Sequence, residues 1–242
     1  MNTEFIKLQV NNLTVDTIKK DIKNIHLGVY PPNGRVRVAA PLKTTDEAIR
    51  LLVISRMTWI KKQQAKFEKQ ERQTRREYVS GESHYLFGKR YLLNLIYIDS
   101  KPRVEINRNT KIDLYVRSGA TITKRGEVLD DWYRSELKKQ LPTIIIKWEK
   151  VIGISVSSVK IRKMKTRWGS CNPKSGTIWI NLELSKKPIN CLEYIIVHEM
   201  IHFLENNHNK KFRAYIDSFL PQWKHYKEEL NQFPLGHNNW KY

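Results

Sequence analysis

Apolar and polar residues alternate through much of the first forty positions. Ile25, Leu27 and Val29 fall on one face of an extended segment, and Val36, Val38 and Ala40 on one face of the next. That is the period of strands with one buried side. Pro31-Pro32-Asn33-Gly34 lies between them, and Asn-Gly accepts the positive φ angles of a tight hairpin, so the two strands are expected to pair antiparallel. From Pro41 the period lengthens. Thr44 and Glu47 read as a capping box, and Ile49, Val53, Met57, Ile60 and Phe67 predict one long helix reaching about Arg76. After the turn residues Val79-Ser80-Gly81, three strands are predicted over Tyr85–Ile98, Arg103–Ile106 and Lys111–Val116. Turn chemistry at Lys101-Pro102 and at Asn107-Arg108-Asn109 makes an antiparallel meander the expectation.

Gly126 opens a helical stretch with Leu129, Trp132, Tyr133, Leu137 and Leu141 along one face. Pro142 falls inside it, and the lost hydrogen bond predicts a kink or two abutting helices. Ser155–Ile161 and Thr177–Leu184 read as strands flanking the loop KMKTRWGSCNPKSG, whose Trp168 is too large and apolar for a purely solvated loop and is expected to pack on the helix that follows. That helix, with Asn190 as its expected N-cap, is apolar nearly all round at Ile195, Ile196, Met200, Ile201, Phe203 and Leu204, and is therefore a core element. A helix ended by Pro221 and a last one over Trp223–Phe233 complete the chain. The fold class is α+β: a mainly antiparallel β region with one long helix at 1–125, then a helical domain with a small antiparallel sheet at 126–242. No internal repeat is evident.

Within the core helix, His198 and His202 are four apart and share one face, where two imidazoles can hold one metal ion. Glu199 sits at the edge of that face, within reach of a metal-bound water. His208 follows at the third-ligand spacing of HExxHxxGxxH. Glu205 replaces the glycine of that pattern, and Asn206-Asn207 are expected to supply a left-handed turn instead. The bland alternative is a solvated helix that happens to carry histidines, but unpaired polar groups in so apolar a helix would be costly. His225 and His237 fall on the C-terminal surface. A third ligand from Glu228 or Glu229 is disfavoured because no ExxxD follows the helix.

Composition adds little to this picture except charge. The chain has 242 residues, with 44 Lys+Arg against 24 Asp+Glu for a formal net charge of +20, which makes nucleic acid a candidate partner as well as serving solubility. Two cysteines, Cys171 and Cys191, form no CxxC pair and no disulfide framework. With no signal sequence and no apolar run of spanning length, the expectation is a cytoplasmic protein that does not enter a membrane.

The motifs RWGSC, WINLEL, YIIVHEMIH and NHNKKF occur in that order, and upstream stand NGRVRVAAP, MTWIKKQQ, YVSG and FGKRYLL. In these the chain resembles the YgjP-like metallopeptidase domain, a bacterial and archaeal relative of the SprT-like zincins, over nearly its whole length. The resemblance implies a zincin-like metallopeptidase domain at 126–242 and a Zn²⁺-dependent hydrolase of protein or peptide substrates. His198, His202 and His208 would be its ligands and Glu199 its catalytic residue. The family's usual HEL is HEM here, and RWGSC gives Arg167 to Cys171 as a wall of the site. The expected mechanism is attack by a zinc-activated water whose proton Glu199 takes and returns to the leaving amine. Thr177–Leu184 is expected to be an edge strand to which a peptide adds. Trp179 and Asn181 on it, with Arg167 near the oxyanion, are the substrate-binding candidates. Two rival classes are a DNA-associated zincin or non-catalytic metal-site protein that binds nucleic acid, and a hydrolase using Cys171 as nucleophile. Oligomeric state is left open by the sequence.

Overall fold

Strand alternation in the first seventy residues is realised as a sheet with one face against two helices. A computed structural model describes residues 3–30, 33–69, 76–164 and 167–232. Strands β1 (Glu4–Val10), β2 (Leu13–Lys20), β3 (His26–Tyr30) and β4 (Arg35–Pro41) lie in the order β1-β2-β4-β3. The expected β3–β4 hairpin is present, pairing His26 with Ala39 through to Tyr30 with Arg35, although Pro31 and Pro32 in its turn lie outside the described residues. The two central strands, β2 and β4, run parallel. Leu8, Val15, Val36 and Val38 from the sheet bury against Ile49, Val53 and Ile60.

Those last three residues come from two helices, α1 (Asp46–Ser55) and α2 (Met57–Lys69), where one was expected. The chain leaves helical geometry at Arg56, with φ −105° and ψ 8°. The N-cap is Thr45, whose hydroxyl accepts from the Ala48 amide at 3.2 Å, one residue later than the capping box suggested. The predicted stretch from 70 to 75 lies outside the described residues.

A second sheet repeats the first in topology. Strands β5 (Ser83–Leu86), β6 (Lys89–Tyr97), β7 (Arg103–Asn107) and β8 (Lys111–Val116) are ordered β5-β6-β8-β7, again with a parallel central pair. The expected meander is therefore corrected twice. The stretch read as one strand from Tyr85 folds over at Phe87-Gly88, both with positive φ, and β8 rather than β7 takes the centre. Burial explains the exchange: Ile112, Leu114 and Val116 of β8 are fully buried, whereas β7 is mostly exposed, as suits an edge.

This sheet packs on α3 (Ile122–Ile152). Leu93, Ile112 and Leu114 share one core with Leu129, Tyr133 and Leu137 of α3 and with the C-terminal elements. The chain accordingly divides into two compact units between the described residues 69 and 76, and not at Gly126, because the second sheet has no core of its own apart from α3. The helix α3 runs unbroken through Pro142. Pro142 and Lys138, whose carbonyl loses its bond, are both exposed, so water can replace the missing donor while Leu141 and Ile144 hold the helix to the core.

The second unit then adds β9 (Ser158–Arg162), β10 (Gly169–Asn172) and β11 (Thr177–Asn181), followed by helices α4 (Ile189–Ile201), α5 (Lys210–Phe219) and α6 (Trp223–Gln232). In the order β10-β11-β9, β11 pairs antiparallel with β10 and parallel with β9. Part of the expected RWGSC loop is thus a strand, and β11 is central rather than an edge. The molecule is α+β, and no helix among the described residues is long and apolar enough to cross a membrane.

Candidate metal centre

Helix α4 starts from Pro188, without a side-chain cap from Asn190, and is buried on almost every side. Its last turn carries His198 and Glu199, and His202 closes it in right-handed geometry, so the stacked placement of the two histidines survives to the helix end. Neither Asn206 nor Asn207 has positive φ. The reversal is made instead by tight bonds from the Phe203 amide to Met200 O and the Leu204 amide to Ile201 O, and by the Glu205 carboxylate, which accepts from the Asn207 amide. Asn209 then caps α5 by accepting from the Phe212 amide at 3.0 Å. His208 is thereby fixed between a closed turn and a capped helix.

The three imidazoles converge, each offering a ligand atom within 4.8 Å of the others. His208 Nε2 and His198 Nε2 are 2.9 Å apart. His202 Nδ1 lies 3.1 Å from the Glu205 carbonyl, which fixes Nδ1 as the donor and leaves Nε2 for a metal. Ligands at about 2.0–2.1 Å around a tetrahedral ion lie about 3.3 Å from one another, so the residues present fit one ion. Burial first, and then the neighbouring His202 and His208, hold His198 down at about 3. It is therefore neutral, the form that ligates. Phe212 floors the cluster, its ring centroid 4.7 to 5.0 Å from all three histidine rings. The sequence marks Phe212 only as an apolar helix position, which carries no sign of this role.

Glu199 is buried beside the histidines and against β10. Burial pushes its carboxyl up to about 7, opposed by Arg167 and by a hydrogen bond from Cys171. A Cβ at Gly169 would lie 2.7 Å from Glu199 Oε1 and 2.8 Å from Ile195 Cγ2, so only glycine lets the strand approach the carboxylate. The Cys171 thiol is pushed up to about 12 by burial and then by the Glu199 charge. It is protonated at neutral pH and is not the thiolate a cysteine hydrolase needs. Cys191 is buried in the first turn of α4, two turns before His198, with its thiol 3.8 Å from a Glu229 carboxylate oxygen.

A cavity of about 860 Å³ opens over this cluster, bounded by residues 167–171 on one side and by Phe212, Arg213, Trp223 and Lys227 on the other. Arg167 lines it. Trp179 and Asn181 do not. Asn181 is buried and holds the preceding loop, donating to the Met164 and Arg167 carbonyls at 2.8 and 2.7 Å. Trp179 is half-buried under the Arg162 guanidinium. The strand that carries both is central in its sheet, with β10 paired along the edge expected to be open. His225 is exposed, and His237 lies outside the described residues.

Three imidazoles around one point could hold a metal ion, with a buried carboxylate beside them. The chain belongs to the YgjP-like family: the model of the YgjP-like metallopeptidase domain matches residues 23–233, which bears out the resemblance carried by RWGSC and YIIVHEMIH. Among solved structures it is similar to the crystal structure of the metallopeptidase zymogen of Pyrococcus abyssi abylysin, at 19% identity and a TM-score of 0.35 over 39% of this chain and 97% of that one. No curated protein matches it.

Proposed function

We propose that the protein is a zinc-dependent peptidase in which His198, His202 and His208 hold the metal and Glu199 moves the proton. The observation that carries this reading is the convergence of three imidazole nitrogens within 4.8 Å, next to a carboxylate buried against the same helix. Zinc held there would supply Lewis acidity and lower the pKa of a water towards neutrality. The raised affinity of Glu199 for a proton suits a group that accepts one from water and passes it to a leaving amine. Strand β10 ends its sheet and lines the cavity at Gly169, Ser170 and Cys171, so an extended peptide can add to it by main-chain hydrogen bonds. Arg167, which lines the same cavity, would receive developing negative charge. Two free thiols suit a reducing, cytoplasmic setting.

The test is metal analysis together with an unbiased peptide-library digest. Glu199→Ala is expected to keep one zinc per chain and to lose hydrolysis by at least about 10²-fold. Undiminished turnover in that variant would remove Glu199 from the mechanism, and absence of bound zinc from the wild type would remove the metal assignment.

A further inference from the structure

Apart from Glu199, the cavity over the histidines is lined by no acidic side chain among the described residues, yet it is lined by three strong cations, Arg167, Arg213 and Lys227. They come from different elements: Arg167 precedes β10, Arg213 is on α5 and Lys227 on α6. All three are exposed at the cavity, and none has a carboxylate within ion-pairing distance among the described residues. Lys227 instead stands over the Trp223 ring, 5.6 Å from its centroid. Some cations of the second unit are neutralised, as Lys147 is by Glu193 and Lys186 by Glu183. The three cavity cations are not, and they stand together on one concave surface.

Their placement brackets the metal centre. Arg167 leads into β10 on one wall of the cavity, and Arg213 and Lys227 stand on the two helices of the other, with the three histidines also in its lining. An extended peptide lying along β10 would pass between them. Positive charge in a concave wall with aromatic lining is focused rather than dispersed, so a Lys or Arg side chain entering the cavity is repelled and an Asp or Glu side chain finds a partner.

We propose that the cavity selects acidic peptide segments, with Arg167, Arg213 and Lys227 receiving Asp or Glu side chains on either side of the bond that is cleaved. This rests on the peptidase reading above, and a binding measurement separates the two.

Two short fluorescent peptides, identical except for Glu or Lys flanking the centre, are titrated by anisotropy at low salt into the zinc-loaded full chain carrying Glu199→Gln. The Glu peptide is expected to bind about tenfold more tightly than the Lys peptide. Arg213→Glu with Lys227→Glu should invert the order, and the corresponding double glutamine variant should fall between. Both residues are exposed on helix surfaces, so zinc content and melting temperature should be unchanged. Equal binding of the two peptides would overturn the proposal, as would a preference that the double glutamate variant leaves in place. Displacement of the Glu peptide by a short single-stranded DNA at lower concentration than by unlabelled peptide would overturn it in favour of nucleic acid. Digestion of both peptides by the wild type without charge preference refutes the selectivity alone. Charge-selective binding with no cleavage refutes the peptidase reading and leaves the selectivity standing.

Discussion

Gly169 sets how close β10 can come to the Glu199 carboxylate. A methyl group there meets Glu199 Oε1 at 2.7 Å and Ile195 Cγ2 at 2.8 Å, closer than packed atoms come, so the strand or the two side chains must shift. Gly169→Ala is therefore expected to cost about 1–3 kcal/mol of stability through overpacking. It should lower kcat by about 10²-fold through displacement of Glu199, with zinc content retained. Denaturant titration, metal analysis and steady-state kinetics check the three parts, and unaltered kcat would show that the carboxylate tolerates the shift. The histidines were legible in the sequence because helical spacing alone stacks His198 over His202. Gly169 and Phe212 were not, since their roles depend on which strand and which ring approach from elsewhere in the chain. Asn181 misled for the same reason: an amide on a predicted strand reads alike whether it faces a substrate or, as here, ties down a neighbouring loop.

Two elements carry predictions of their own. Asn209 caps α5 directly after His208, so Asn209→Ala should cost about 1 kcal/mol and also weaken zinc binding, because the third imidazole loses the anchored backbone that aims it. Competition with a chromogenic chelator measures the second effect, and unchanged affinity would show that the turn at Glu205 suffices. Pro142 lies on the exposed side of a continuous α3. Pro142→Ala restores a backbone donor and should raise stability by up to about 3 kcal/mol, read from denaturant midpoints. The helices and most strands were legible from period and turn residues. Strand order was not, because the alternation along β7 and β8 shows that each has two faces but not which of them goes to the middle. The break at Arg56 was likewise hidden, since Ile49, Val53, Met57 and Ile60 keep helical spacing across it.

Across the second unit, one buried cluster ties stability to pH. His84 is 5% exposed, with Glu82 at 3.3 Å and the Tyr133 hydroxyl at 3.5 Å on its two ring nitrogens. Tyr78 packs on its ring, Arg76 pairs with Glu82, and Lys186 stands over Tyr133. Burial, then Arg76, lower His84 to about 4 from an ordinary 6.5, while Glu82 opposes them. Above 6.5 both folded and unfolded chains hold it neutral. Between about 6.5 and 4 the unfolded chain takes up a proton that the folded one refuses, so stability falls with falling pH by up to about 3 kcal/mol. Urea unfolding from pH 7 to pH 4 should show this slope, and His84→Gln should flatten it. A slope unchanged in His84→Gln would place the titrating group elsewhere.

The two sheets wound alike have a consequence for how the chain is made. In each, the parallel central pair joins strands only about twenty residues apart in sequence, and the flanking pairs are hairpins. Loops this short close at small entropic cost and hairpins form within microseconds, so either sheet can assemble from its own neighbourhood without waiting for distant chain. During synthesis the first sheet and its helices can be complete long before His198 leaves the ribosome. His198, His202 and His208 are then delivered onto a second unit whose sheet and long helix are already in place to receive them.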